Sequence, residues 1–226
     1  MILTTYTTPS HAEMCERFVV TRGEASGFDG GRLFSDDQVC PSGNFGSEGF
    51  AQQMWGKVKM LAGLPLGENY CYVDADCVIF PGLADWCRHW LHENPGAIGH
   101  GDDILQLCMG TLVWRQTEIT ASWFRYVHDT AILLGRHDQE TVQVIREIAQ
   151  NLPVELSRLP NTIFANHASR LDRDNTPWDG QMDLFVPQTC LCWHANFCVG
   201  VQRKTAMLEC VLECVLKKQA QFSCTA

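Results

Sequence analysis

The chain has 226 residues, 46% of them apolar and 19% charged, the balance of a folded globular chain with ample length for one full core. A net charge of −9 excludes a general nucleic-acid binder, which presents a basic face, although an acidic chain still holds phosphates where a metal supplies positive charge. No apolar run reaches the roughly 18–20 residues of a membrane span, and no basic stretch followed by an apolar core opens the chain. A cytoplasmic protein is expected, and its 12 cysteines, with no Cys-x-x-Cys pair among them, read as reduced core residues rather than zinc ligands.

In chain order, residues 1–6 predict a first strand. Pro9-Ser10 opens a helix, with Ser10 and Glu13 at capping-box spacing and Gly23 marking its end. Residues 23–47, rich in Gly, Asp and Ser, predict a loop with one short strand; Gly27 to Gly31 is too irregular for a dinucleotide fingerprint. Ser47 is placed to cap a helix over 48–62, ended by Gly63 and Pro65. Residues 70–80 form an apolar, β-rich run interrupted by Asp74 and Asp76. A helix over 83–92 buries Trp86, Trp90 and Leu91, and strands follow at 97–99 and 108–115. His100-Gly101-Asp102-Asp103 reads as a loop, with Asp103 in reach of an acceptor.

A long helix over 117–134 turns Ile119, Trp123, Phe124 and Val127 inward, and Asp138 caps a helix over 139–152. Strands are expected at 154–159, 163–164 and 190–194, with a polar excursion over 166–188 in which Trp178 is a candidate acceptor platform. An amphipathic helix over 203–219 ends the pattern. His11, His89, His92, His128, His137 and His167 read as ordinary core or surface histidines.

The two aspartates organise this pattern. A buried carboxylate costs several kcal/mol unless a cation or strong donors meet it. At alternate positions of an extended chain the two side chains share a side, so the strand is expected to end at Val73 and present two hard oxygen ligands at its carboxyl edge, where open α/β sheets bind ligands. A structural Asp pair is the plain alternative. Asp74-Ala-Asp76-Cys-Val78 also resembles the first motif of haloacid-dehalogenase-type phosphatases, in which Asp74 would be the nucleophile. That strand usually comes first in such enzymes, however, and too few residues separate it from Asp102.

More positions fit another family. Trp55-Gly-Lys57 before the central strand, Tyr72-Val-Asp-Ala-Asp76, Cys108-Met-Gly110 leading to Trp114-Arg115, Asp138-Gln139-Glu140, and His194 followed by Gly200 and Lys204 stand in the order of motifs in small GT-A nucleotide-diphospho-sugar glycosyltransferases of bacteria and large DNA viruses. The chain resembles these over roughly residues 1–216. It departs at Cys108, where a polar residue is common and would touch the sugar, and in a looser His194 element.

The resemblance implies one domain over 1–226, an α/β/α sandwich around a mixed, mainly parallel sheet. A nucleotide-binding half (1–107) would precede an acceptor half (108–226) that includes the C-terminal helix. It implies transfer of a sugar from a nucleotide-diphospho-sugar, a UDP-sugar first, to a glycan or other hydroxyl acceptor, with Mn²⁺ or Mg²⁺ as cofactor; a non-catalytic sugar-nucleotide or glycan-binding module is the alternative. Asp74, Asp76 and His194 would hold the metal. Thr4, Thr5, Tyr6, Lys57, Asp74, Gly110, Gly200 and Lys204 would bind the donor, with Tyr6 stacking on a pyrimidine. Asp138 and Gln139 would be the catalytic pair, Asp138 as general base or as an orienting carboxylate.

Overall fold

In the computed structural model the described residues are 1–44, 46–103, 106–149, 151–166, 184–196 and 198–223, with side chains described for all but 102, 103, 106 and 218–223. Trp178 and His167 lie outside these residues, as does the side chain of Asp103.

Strand β1 (Ile2–Thr7) pairs in parallel with β2 (Gly30–Ser35) on one side and β3 (Asn69–Val73) on the other. Strands β5 (Ala97–Asp103), β6 (Gln106–Arg115) and β7 (Glu155–Arg158) complete a six-stranded sheet of order β2-β1-β3-β6-β5-β7, in which β6 alone runs against the others. Strands from both halves of the chain are therefore neighbours in one sheet. A second sheet joins β4 (Cys77–Ile79), β9 (Cys192–His194) and β8 (Phe164–Asn166) in the order β4-β9-β8.

The period-2 alternation of the strands builds the layers. Leu3, Cys71 and Val73 pack on one face, against Cys15 and Val19 of a helical run over 9–26 and against helix α4 (Leu83–Glu93). That run passes through α1 (Ala12–Cys15), a π-helical turn and α2 (Thr21–Gly23). Tyr70, Tyr72 and Tyr6 face the other layer, made of α3 (Phe50–Ala62), α5 (Glu118–Leu134) and α6 (Asp138–Ile148). Fully buried Val58, Leu61, Trp123, Phe124 and Val127 each contribute about 1.5–3 kcal/mol by leaving water. A third cluster seats the second sheet on α7 (Val201–Ser223) through Val78, Trp193, Met207, Leu208 and Val211. The architecture is the expected α/β/α sandwich around a mixed, mainly parallel sheet.

Several local expectations are corrected. The helical run extends past Gly23 to Gly27, whose φ of 85° ends it in the left-handed conformation. Gly23 instead lies where a Cβ would sit 2.9 Å from Leu3 Cδ2, so it serves close packing. The Ser10/Glu13 box does not form, because a 3₁₀ turn starts at Pro9 and the Ser10 hydroxyl meets His11 Nδ1 at 2.8 Å. Helix α3 starts two residues later than expected, behind Gly49 with its φ of 79°, not behind Ser47. Residues 100–103 are strand, not loop: His100 is buried in β5, across from Leu112 of β6. Ile119 is exposed, whereas Trp123, Phe124 and Val127 are buried as expected. Nine of the described cysteines are buried and free. Among the described residues no helix is long and apolar enough to cross a membrane.

Candidate active site

The site forms where the chain leaves the central sheet after Val73. The Asp74 amide donates to Gly110 O at 2.8 Å, and the Cys77 amide closes a turn onto Asp74 O at 3.1 Å. The strand ends at Val73 as expected, and Asp74 and Asp76 sit in the turn that follows it, between the two sheets. Both carboxylates face one imidazole. His194 stands opposite Cys77 in the β4–β9 pairing, and the Ala195 amide donates to Asp76 O at 2.9 Å. His194 Nε2 lies 3.2 Å from Asp76 Oδ1 and 4.0 Å from Asp74 Oδ2.

Gly110 leaves room for this meeting. A Cβ there would fall on the His194 ring and come within 2.7 Å of Asp74 Oδ2. Asp76 is buried, with Lys204 Nζ 2.5 Å from Oδ2. Burial alone would raise its pKa, but the Lys204 ammonium and the His194 ring outweigh that and hold the carboxyl well below the usual range. Burial opposes the charged form of His194 too, yet Asp76, joined by Cys108, holds the imidazole well above its ordinary pKa.

The second charged knot is built on α3. Lys57 is buried, with its ammonium 2.5 Å from Asp138 Oδ2, 3.4 Å from Asp74 Oδ1 and 3.3 Å from Met109 O. Tyr72 donates a short hydrogen bond to the same Asp74 oxygen. Its neighbours in sequence explain the placement. Trp55 Nε1 donates to Arg136 O at 2.8 Å and ties down the loop that carries Asp138, while Gly56 lets α3 approach Tyr6 and Asp36, each of which would lie 2.6 Å from a Cβ. Asp138 is the first residue of α6 and His137 its cap residue, so Asp138 does not cap the helix as the sequence suggests. Against burial, which raises its pKa, Lys57 and then His137 hold Asp138 well below the usual carboxylate range.

A cleft of about 390 Å³ joins the two knots; Lys57, Asp74, Asp76, Gly110, Asp138, Gln139, His194 and Lys204 all line it. Tyr6 lines it as well, with its hydroxyl donating to Asp36 Oδ2 at 3.0 Å. Thr4 and Thr5 do not: both are buried, and Thr5 Oγ1 faces Cys15 Sγ at 3.6 Å. Strand β1 runs on to Thr7, so the wall at its carboxyl end is Thr7 and Thr8. Gly200 acts from behind the wall: its φ is 96°, its amide donates to Asn44 Oδ1 at 2.9 Å, and its carbonyl accepts from the Lys204 amide at 3.0 Å.

The sequence reading missed His11, His137, Gln53 and Asn196, all of which line the cleft. The signal for His11 was its place in the turn that follows the first strand, at the ligand-binding edge of the sheet. Its imidazole lies among Asp76, Lys204 and Asp74, and burial lowers its pKa below the ordinary value.

The donor types suit a hard or borderline divalent cation: the 3.2 Å between Asp76 Oδ1 and His194 Nε2 is near the ~3 Å edge of an octahedron with bonds of about 2.1 Å, and Asp74 Oδ2 stands farther off, 4.0 Å from the same nitrogen. Cys77 Sγ is also near Asp76 and His194. Its thiol packs in the apolar core, and burial together with Cys192 raises its pKa well above the ordinary value, so it is no ligand for such an ion.

No family model matches the sequence, and no curated protein is similar to it at a significant level. Solved structures are. A glycosyltransferase involved in glycosylation of the major capsid of PBCV-1 superposes with a TM-score of 0.60 at 10% identity, covering 93% of this chain and 98% of its own. The galactosyltransferase LgtC, solved with donor and acceptor sugar analogues, gives 0.50 at 12% identity over 93% and 96%. Mouse xyloside xylosyltransferase 1 gives 0.50 at 11% identity over 87% and 98%. The chain shares its fold with glycosyltransferases of the GT-A type, the architecture that the order of its motifs implied.

Proposed function

We propose that this protein is an enzyme that transfers a sugar from a nucleotide-diphospho-sugar to a hydroxyl acceptor in a divalent-metal-dependent reaction, with a UDP-sugar as the first donor to test. The observation that carries this reading is the convergence of Asp74, Asp76 and His194 on one edge of a cleft that also holds Lys204 and Lys57, in a fold shared with glycosyltransferases. The Asp-x-Asp turn follows β3, the third parallel strand in chain order rather than the first, which leaves the phosphatase alternative without its strand context.

The donor set above would hold Mn²⁺ or Mg²⁺, which supplies Lewis-acid stabilisation to the departing nucleoside diphosphate. Lys204, at the first turn of α7, places a fixed cation on the same side and offers its donors to a diphosphate oxygen. Tyr6, Thr7 and Thr8 form the wall suited to the nucleoside, with the Tyr6 ring available for a base and its hydroxyl committed to Asp36. Lys57 keeps Asp138 ionised and turned into the cleft, ready to accept hydrogen bonds from sugar hydroxyls, with Gln139 beside it. A carboxylate of such low proton affinity is a weak general base at neutral pH, which supports the orienting role for Asp138.

The test is nucleotide release and sugar transfer from a panel of UDP- and GDP-sugars in the presence of Mn²⁺ or Mg²⁺, with simple sugars and glycans as acceptors. Turnover that stops on chelation and returns with metal is expected. Binding of UDP and metal without any turnover would make the chain a sugar-nucleotide-binding module instead.

A further inference from the structure

We propose that Cys108 is a positioning residue for His194: its sulfur accepts the imidazole Nδ1–H and thereby leaves Nε2 as the nitrogen offered to a divalent cation. This rests on the metal-dependent reading above and gives a role to Cys108, a motif position that departs from the family pattern. Cys108 lines the cleft, but its sulfur meets two groups of the site itself, the His194 ring and the Gly110 amide. It is buried in β6, with Sγ 3.6 Å from His194 Nδ1 and 3.4 Å from the Gly110 amide nitrogen, which donates to it.

The direction of the bond follows from its neighbours. The Gly110 N–H can only donate, so the sulfur is already an acceptor there. On the far side of the ring, Nε2 faces Asp76 Oδ1 at 3.2 Å and Asp74 Oδ2 at 4.0 Å. When a cation takes the Nε2 lone pair, the single ring proton must reside on Nδ1, and the atom it meets is Cys108 Sγ. A ligating histidine is usually held by a carboxylate or carbonyl at its second nitrogen; here a weaker thiol acceptor fills that place. The Gly110 amide fixes the sulfur, and the missing Gly110 side chain admits the ring, so Cys108, Gly110 and His194 act as one unit.

The experiment joins two measurements on the full chain. In the first, ¹⁵N-histidine NMR reads the His194 tautomer with Mg²⁺ bound, assigned with a His194→Gln variant; wild type is expected to carry its proton on Nδ1. In the second, calorimetric Mn²⁺ titration compares wild type with Cys108→Ala and Cys108→Ser. Cys108→Ala is expected to weaken Mn²⁺ binding by about 10-fold or more, the usual loss when a ligand's supporting partner is removed, while Cys108→Ser, which keeps an acceptor, stays within a few-fold. The unfolding midpoint of the metal-free Ala variant should stay near that of wild type. A proton on Nε2, or equal Mn²⁺ affinity in wild type and Cys108→Ala, overturns the assignment while leaving the metal-dependent reading intact. Failure of wild type itself to take up Mn²⁺ overturns both.

Discussion

With its ammonium 2.5 Å from Asp138 and 3.4 Å from Asp74, Lys57 neutralises two carboxylates at once while being buried. Removing one partner of a buried pair leaves the other uncompensated, so Lys57→Met is expected to cost about 3–5 kcal/mol in a denaturant melt. Lys57→Met combined with Asp138→Asn should cost less than the two changes added together, and a double-mutant cycle measures the difference. Asp138→Asn alone should lower kcat/KM by less than about 100-fold, short of the upper range for a missing general base, about 10⁴-fold. A larger loss, accompanied by the disappearance of an acidic limb from the pH–rate profile, would assign Asp138 as the base.

The depressed carboxyls also set an acid limit. Asp76 and Asp138 bind protons less readily folded than unfolded, where a carboxyl titrates near 3.9. Their contribution to stability is full above that value and is lost as pH falls below about 4, because the unfolded chain then takes up protons that the native state refuses. Thermal melts of the metal-free protein from pH 7 to pH 3 should fall in that window, and less steeply for Asp138→Asn.

At the scale of elements, the turn between β3 and β4 and the strand pair β4–β9 decide whether the ligands meet. Gly110 is the clearest point of failure. Gly110→Ala should leave the secondary structure unchanged by circular dichroism, since β6 tolerates alanine, yet abolish Mn²⁺ uptake in a titration by displacing His194. The Asp pair was legible in the sequence because carboxylates inside an apolar strand run are costly unless they are used, whereas Lys57, His194 and Lys204 were marked by the order of the motifs that resemble the family's. The turn itself was not. The apolar run resumes at Cys77 after the aspartates, and only the pairing of Cys77 with His194 assigns that second half to another sheet. Gly23 and Gly27 show the same ambiguity: a glycine marks either a left-handed cap or a close approach, and composition does not separate the two. Thr117, by contrast, caps α5 with a reciprocal Thr120 bond close to where the sequence placed the helix start.

At the scale of the whole molecule, hydrophobic periodicity revealed the α/β class and nearly every strand, because the two faces of the central sheet alternate with period two. Long-range order was less visible. The insertion of β6 between β3 and β5 brings Cys108, Met109 and Gly110 against Asp74 and Lys57, a contact that no local spacing announces. For the same reason His11 and His137, distant in sequence and ordinary by pattern, emerged as cleft residues only from the assembled structure. The measurement that bears most directly on the account is calorimetric titration of UDP into the wild-type protein and Asp76→Ala, each with and without Mn²⁺. UDP binding that strengthens at least about 10-fold with Mn²⁺ in wild type, and loses that dependence in a folded Asp76→Ala, is the predicted result. Equal UDP affinity with and without the metal in wild type would contradict it.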